Sequence, residues 1–267
     1  MIKDKTFLYF KEDIVTNAKA NAKANVVIVH GIAEHLHRYD YVVSKLNEAG
    51  YNVFRYDQRG HGRTQGKRGY VKSLEILLED LQDIISYARE KNNLKVFVLG
   101  HSLGGGITNI YASTIGDIDG YISSGAATDV MKQLNLLKVI PYQLLRWVRI
   151  KNNIAKDSLA TIKEVEQDYL NDPYVLKSYK IGVLGEVIMK GSKILKKNYD
   201  NIKMPVLIMH GKLDPTVPQE FSVNLYHKVA STDKELVIWE LSLHEIYNDL
   251  EKEAVINKTI EWLDNHA

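Results

Sequence analysis

Ser102 lies in "KVFVLGHSLGGG" (residues 95–106), a small polar residue between glycines at the end of an apolar run. A serine hydroxyl is a weak nucleophile at its own pKa, so covalent chemistry needs it exposed and beside a base. A sharp strand-to-helix turn would lift Ser102 above a sheet edge. Gly100 and Gly104 then stand where a Cβ would crowd that turn. The following helix would aim its first N–H groups at the site. A dinucleotide-binding loop is the other reading of "GHSLGG". That loop normally follows the first strand of its fold, whereas this one follows several.

The base must come from nine histidines. His30, His61, His101 and His210 sit in glycine-rich turns at strand ends, where turn geometry accounts for them. His35 and His37 form "EHLH", which lacks a third metal ligand nearby. His227 falls on an expected exposed helix and His266 in the terminal tail. His244, in "LSLHEIYND" after the last expected strand, remains as the base. The supporting carboxylate is expected at Asp214 in "HGKLDPTVP", a loop stiffened by Pro215 and Pro218. Asp129 is the competing acid. The order Ser102, Asp214, His244 is Ser…Asp…His. Backbone N–H groups of Leu103 and Ile32 are the expected oxyanion donors.

These residues need a scaffold that brings strand ends together. Short apolar, β-branched runs occur at "VVIVHG" (26–31), "YNVFRYD" (51–57), "KVFVLG" (95–100), "GYISSGA" (120–126), "PVLIMHG" (205–211) and "ELVIWE" (235–240). They suit strands buried on both faces of a parallel sheet. Helical periodicity fills residues 39–50, 74–93 and 251–267. The alternation predicts an α/β fold with a mostly parallel, doubly wound sheet. "AKANAKAN" (18–25) reads as a surface turn before the first core strand.

Between residues 127 and 203 the alternation stops. No strand is evident there, only helical patterns at 131–140, 142–150 and 184–197. This span holds 14 Lys+Arg against 8 Asp+Glu, a net of +6 in a chain whose total is +2. A basic helical cap, or lid, inserted before the last two core strands is expected. The core is then 1–126 and 204–267. Within the cap, "VIPYQLLRWVRI" mixes Leu144, Leu145, Trp147 and Val148 with Arg146 and Arg149. Packing over the site is the first expectation for this helix, and resting on an anionic lipid surface is the second.

Composition removes several classes. At 267 residues and 45% apolar, the chain can build a sizeable core. A net charge of +2 argues against nucleic acid as the partner. The absence of cysteine excludes disulfides, thiol catalysis and thiolate metal sites, and fits a reducing compartment. The first residues lack the apolar run of a signal peptide, and no window reaches the length of a membrane span. A cytoplasmic protein is the expectation. Oligomeric state leaves no mark in the sequence.

"HGIAEHLHRY", "YDQRGHGRTQGKRG", "GHSLGG", "HGKLDPTVP" and "LHEIYND", in that order, resemble the monoacylglycerol lipase and lysophospholipase group of α/β-hydrolases. The cap segment "NDPYV" (171–175) is similar to one in that group. The resemblance implies a serine esterase acting on a single-chain acyl ester, with a mobile cap over an apolar tunnel and no cofactor or metal. It carries Ser102, Asp214 and His244 as triad and Ile32 and Leu103 as oxyanion donors. Ala33, Leu36 and His37 depart from the smaller residues usual in the group. Arg59, Arg63, Lys67 and Arg68 are expected to brace loops around Asp57, with a phosphate headgroup site as the alternative. An acyltransferase on the same triad and a non-catalytic ligand-binding homologue are the rival functions.

Overall fold

The computed structural model describes residues 7–15, 22–153 and 157–267. Nine strands occur among them: β1 (Phe10–Asp13), β2 (Ala24–Val29), β3 (Tyr51–Tyr56), β4 (Val96–His101), β5 (Gly120–Ser124), β6 (Arg149–Lys151), β7 (Ser178–Lys180), β8 (Val206–Gly211) and β9 (Lys234–Trp239). Seven form one sheet in the order β1-β3-β2-β4-β5-β8-β9. All pairs are parallel except β1 with β3. All six core strands read from the sequence are present, to within a residue or two at their ends. Residues 18–21 of the expected surface turn lie outside the described residues, and β2 already begins at Ala24.

Alternate residues of each strand feed two separate cores, which is why the strands read as continuous apolar runs. Val27, Val29, Phe54 and Val98 pack with α2 (Leu74–Asn92) and α3 (Ser102–Thr114). Val26, Ile28, Val53 and Leu99 pack with α1 (Asp40–Glu48) and the C-terminal helix, Lys252–His266. The connections run outward in both directions from the neighbouring strands β2 and β4. A crevice opens at such a reversal, beyond the carboxyl ends of the strands. The loop after β2, which carries Ile32, and the β4–α3 junction, which carries Ser102, meet there.

Three features differ from the sequence expectation. β1, "FKED", is a four-residue charged edge strand, too short to show a period; its charges discourage pairing with another sheet edge. β6 and β7 form a two-stranded antiparallel sheet inside the cap, where no strand was expected. The helix expected over 142–150 ends at Leu145, as α5 (Tyr142–Leu145), after α4 (Leu136–Val139). Val148 and Ile150 favour extended backbone, and Arg149 bonds across to the Ser178 hydroxyl at 2.9 Å.

Residues 127–203 also hold the helices α6 (Lys163–Asn171), α7 (Ile181–Leu184) and α8 (Ser192–Lys197). Between α7 and α8 the chain forms a π-helical stretch, Gly185–Gly191. Tyr142 packs directly against the Gly185 backbone, leaving no room for a Cβ. Glu186, in this stretch, accepts the Leu74 N–H at the start of α2 (3.1 Å) and the Tyr142 hydroxyl (3.1 Å). It supplies the acidic group that a helix N-terminus favours. No helix among the described residues is long and apolar enough to cross a membrane.

Candidate active site

Ser102 stands at the junction of β4 and α3 with φ of +54°, the left-handed region that non-glycine residues seldom occupy. The glycines around it are required by close backbone approach. A Cβ on Gly104 would run into the Val29 and His30 carbonyls, and one on Gly100 would meet Thr108 Oγ1 and the Gly104 carbonyl. Gly31, in the loop after β2, lies so near that its Cβ would be 3.1 Å from Ser102 Cβ. Ile32, in the loop after β2, and Leu103, in the first turn of α3, therefore flank the serine, and both line the same cleft.

The structure brings Ser102, His244 and Asp214 into one hydrogen-bonded chain. His244 Nε2 is 2.8 Å from Ser102 Oγ, and His244 Nδ1 is 2.6 Å from Asp214 Oδ2. The ring rests on the bare backbone of Gly125, itself at φ +50°. The Asp214 side chain is fully buried. Its Oδ1 accepts the N–H groups of Thr216 (2.7 Å) and Val217 (3.0 Å). Burial opposes its charge, but the His244 cation and the bonds from His210 and His244 outweigh that and hold the carboxyl far below its usual range. Burial likewise disfavours the His244 cation, yet the Asp214 carboxylate dominates and raises the imidazole above its ordinary 6.5. Such a chain can take a proton from the hydroxyl and stabilise the imidazolium that results.

Asp129 is placed elsewhere. Its Oδ1 accepts its neighbour's Val130 N–H and the Lys196 ammonium, each at 2.7 Å. His30 and His61 are buried, and burial pushes both down to about 3; they serve as neutral turn braces. His210 is more than a turn residue, because its Nε2 also lies 3.1 Å from Asp214 Oδ2. His101 packs against His244, ring centroids 4.8 Å apart. Sequence reading missed both roles. The four-residue spacing His210 to Asp214, straight off β8, was the one available signal. His35 pairs with Asp172 of the cap at 2.7 Å and His37 with Asp40. Among the described residues no group of three or more His, Asp or Glu is arranged to hold a metal.

The cleft above Ser102 encloses about 550 Å³. Its walls are mainly apolar, from Leu134, Ile150, Tyr179, Leu184, Ile188 and Val217, with Lys151, Asp157 and Ser158 also lining it. Leu144, Leu145, Trp147 and Val148, expected over the site, do not line it. Trp147 instead stacks on Tyr70 at 4.7 Å, with Lys180 4.2 Å from its ring, and Leu144 is 77% exposed. The strand β6 turns this stretch so that Ile150, not Trp147, faces the cleft.

The "DQRGHGRTQGKRG" loop braces, as expected. Asp57 accepts the Leu36 and Arg63 N–H groups at 2.7 Å each. Arg59 grips Asp80 with two bonds of 2.6 and 2.8 Å. Arg63 stacks on Tyr174, Arg68 bonds the Gly62 carbonyl, and Lys67 lies over Trp147. None of the four cations lines the Ser102 cleft. Ala33, where the resembled group often has glycine, takes φ of +66°.

Residues 20–251 match the sequence profile of the hydrolase family described as serine aminopeptidase, S33. The chain belongs to that family. A monoacylglycerol lipase of Mycolicibacterium smegmatis is 29% identical to this S33 hydrolase over 246 residues, 90% of this chain and 88% of the relative. Phospholipase YtpA of Bacillus subtilis is 26% identical over 91% of this chain and 96% of its own. The crystal structure of Paleococcus ferrophilus monoacylglycerol lipase shares 29% identity and superposes with a TM-score of 0.86 over 98% of this chain and 100% of that one. A soluble variant of monoglyceride lipase from Saccharomyces cerevisiae, in complex with a substrate analog, gives 0.87 at 24% identity over 99% and 93%. This S33 hydrolase therefore has the α/β-hydrolase fold and is a serine hydrolase of lipase- and esterase-like kind.

Proposed function

We propose that the chain hydrolyses carboxylic esters of single acyl chains, monoacylglycerols or lysophospholipids, through an acyl-enzyme on Ser102. His244 removes the Ser102 proton as the hydroxyl attacks the ester carbonyl. Asp214 fixes the imidazole tautomer and supports its positive charge. The N–H groups of Ile32 and Leu103 hold the oxyanion, each such donor worth about 3–4 kcal/mol of barrier. His244 then protonates the departing alcohol and activates the water that frees the acid.

The observation that carries this reading is the Ser102–His244–Asp214 chain at the floor of an apolar cleft. Apolar walls suit an alkyl chain. An aminopeptidase would need acidic groups around the substrate ammonium. Among the described residues Asp157 is the one carboxylate lining the cleft, above the buried Asp214 side chain, and Lys151 shares that wall. No cofactor takes part. We assign residues 127–203 as a lid whose outer face, with Leu144, Trp147, Arg146 and Arg149, rests on an anionic lipid surface.

The test is turnover of p-nitrophenyl esters of increasing chain length, beside monoacylglycerols and lysophosphatidylcholine. A long-chain optimum with free acid as product is expected. Acyl transfer to an added alcohol in preference to water would make the chain a transferase. An absence of any alcohol release from activated esters would leave it a ligand-binding homologue.

A further inference from the structure

Behind His244 lies a buried ionic cluster that the reaction above does not use. Arg38, in the turn after the Ile32 loop, places Nη2 2.5 Å from Glu245 Oε2 and Nε 3.8 Å from Glu34 Oε2. The three side chains are 8%, 2% and 6% exposed. Each belongs to a different part of the site. Glu34 is two residues beyond Ile32, and its carboxyl fills the space where a Gly31 Cβ would sit. Glu245 is the residue after His244. The third contact of Arg38 is with the cap: its guanidinium lies 4.8 Å from the ring of Tyr169, in α6. The cap also reaches the histidine loop directly, through Glu245 N–H to the Leu159 carbonyl at 2.7 Å.

This cluster is poorly built for stability. A buried ion pair seldom repays its desolvation, and a hydrophobic replacement is often as stable. Arg38 Nε, Glu245 Oε1 and His101 Nε2 are buried without a direct hydrogen-bond partner. Native proteins keep few such atoms, and each calls for a reason. Burial and the nearby Glu245 carboxylate raise Glu34 to about 8, and the shorter contact makes Glu245 the closer partner of Arg38.

The geometry points to Arg38 as a positioning residue that fastens the oxyanion loop, through Glu34, to the loop of His244, through Glu245, with the cap helix as a third anchor. This rests on the ester-hydrolase reading. Two loops on different strands must keep donor and base in register, and Arg38 has the planar fork to bridge them. Lysine, with a single ammonium, does not span both carboxylates. Seating Tyr169 against the guanidinium ties that register to the position of the cap.

The experiment compares wild type, Arg38→Lys, Glu245→Gln and Tyr169→Leu on a short activated ester and on a monoacylglycerol. Displacing groups around the reacting atoms by about 1 Å costs on the order of 10²-fold, so kcat should fall ~10–100-fold in Arg38→Lys and ~10-fold in Glu245→Gln, with KM within about twofold. Tyr169→Leu should lower kcat by a smaller factor on both substrates. The groups facing His244 are Ser102, His101, Asp214, Glu34 and Glu245. Glu245 and Glu34 both raise the imidazole pKa, so Glu245→Gln should also move the acid limb of kcat/KM to lower pH. Folded variants with kcat within about twofold of wild type and an unmoved limb would overturn the assignment, as would a rise in KM alone. Should Arg38→Lys fail to fold, Glu245→Gln decides. Should wild type hydrolyse no ester, the reaction fails separately. The lock is then judged by the far-downfield proton of the His244–Asp214 bond in NMR, which must shift in Glu245→Gln and vanish in Asp214→Asn.

Discussion

The carboxyl edge of the sheet and the cap are built by opposite means. At the sheet edge, Ser102, Asp214 and His244 stand just beyond β4, β8 and β9, on backbone cleared by Gly100, Gly104 and Gly125. Nearly every side chain there is buried, and the contacts are hydrogen bonds of 2.6–2.8 Å. The cap has three-residue strands, a π-helical stretch and exposed Leu136, Val139 and Leu144. The difference separates two tasks. On the proposed reaction, its geometry is held by strands that cannot shift singly, and substrate fit is left to a region with few fixed registers.

Substitutions at the two regions should therefore fail differently. The largest effect is expected from Ser102→Ala, a loss of ~10⁵–10⁶ in kcat with an unchanged unfolding temperature. Surviving ester turnover in a clean preparation would remove the serine from the mechanism. Next is Asp214→Asn, about 10⁴-fold in kcat by the logic of a lost tautomer. His244 must be neutral to act as base. Its raised pKa places the acid limb of kcat/KM above 6.5, and removing the Asp214 charge should move that limb down. Asp129→Asn, at a residue whose carboxyl pairs with Lys196 and the Val130 N–H, should leave the pH profile where it was.

Cap substitutions should act on KM and chain length instead. Leu134→Trp fills the apolar cleft, so the chain-length optimum should drop while turnover of an acetate ester stays within about twofold; a methylene in such a pocket is worth only about 1–3 kcal/mol. A fall in acetate turnover equal to that on long chains would erase the division of tasks. The smallest effect is on the outer face. Arg146→Ser should weaken binding to phosphatidylserine vesicles about fivefold, roughly 1 kcal/mol per basic residue near an anionic surface. Sedimentation with vesicles measures it, and no change on anionic relative to neutral lipid would discard the surface contact.

Legibility in the sequence follows the same division. The core strands announced themselves because both of their faces are buried. The turn at Ser102 was readable because glycines mark backbone approach. His244 emerged because the other histidines had turns or helices to explain them. Pairings across the fold were not readable: Arg38 meets Glu245 from 207 positions away, and nothing local to either residue signals it. The strands β6 and β7 were hidden for a related reason. Three residues hold no period, and Arg149 finds Ser178 only in three dimensions. His210 was passed over because a turn already accounted for it, although its ring also serves Asp214.

Glu186 restricts where the cap is free to hinge. Its carboxylate satisfies the first N–H of α2 and the Tyr142 hydroxyl, and hydrogen bonds to a charged group contribute about 1.5–3 kcal/mol each. Swinging residues 181–197 away would break the bond to Leu74 N–H and uncap a nineteen-residue helix. If the chain acts as proposed, the α7–α8 side of the cleft stays fixed as substrate enters, and the wall of Met131, Gln133 and Leu134 is the one left to yield.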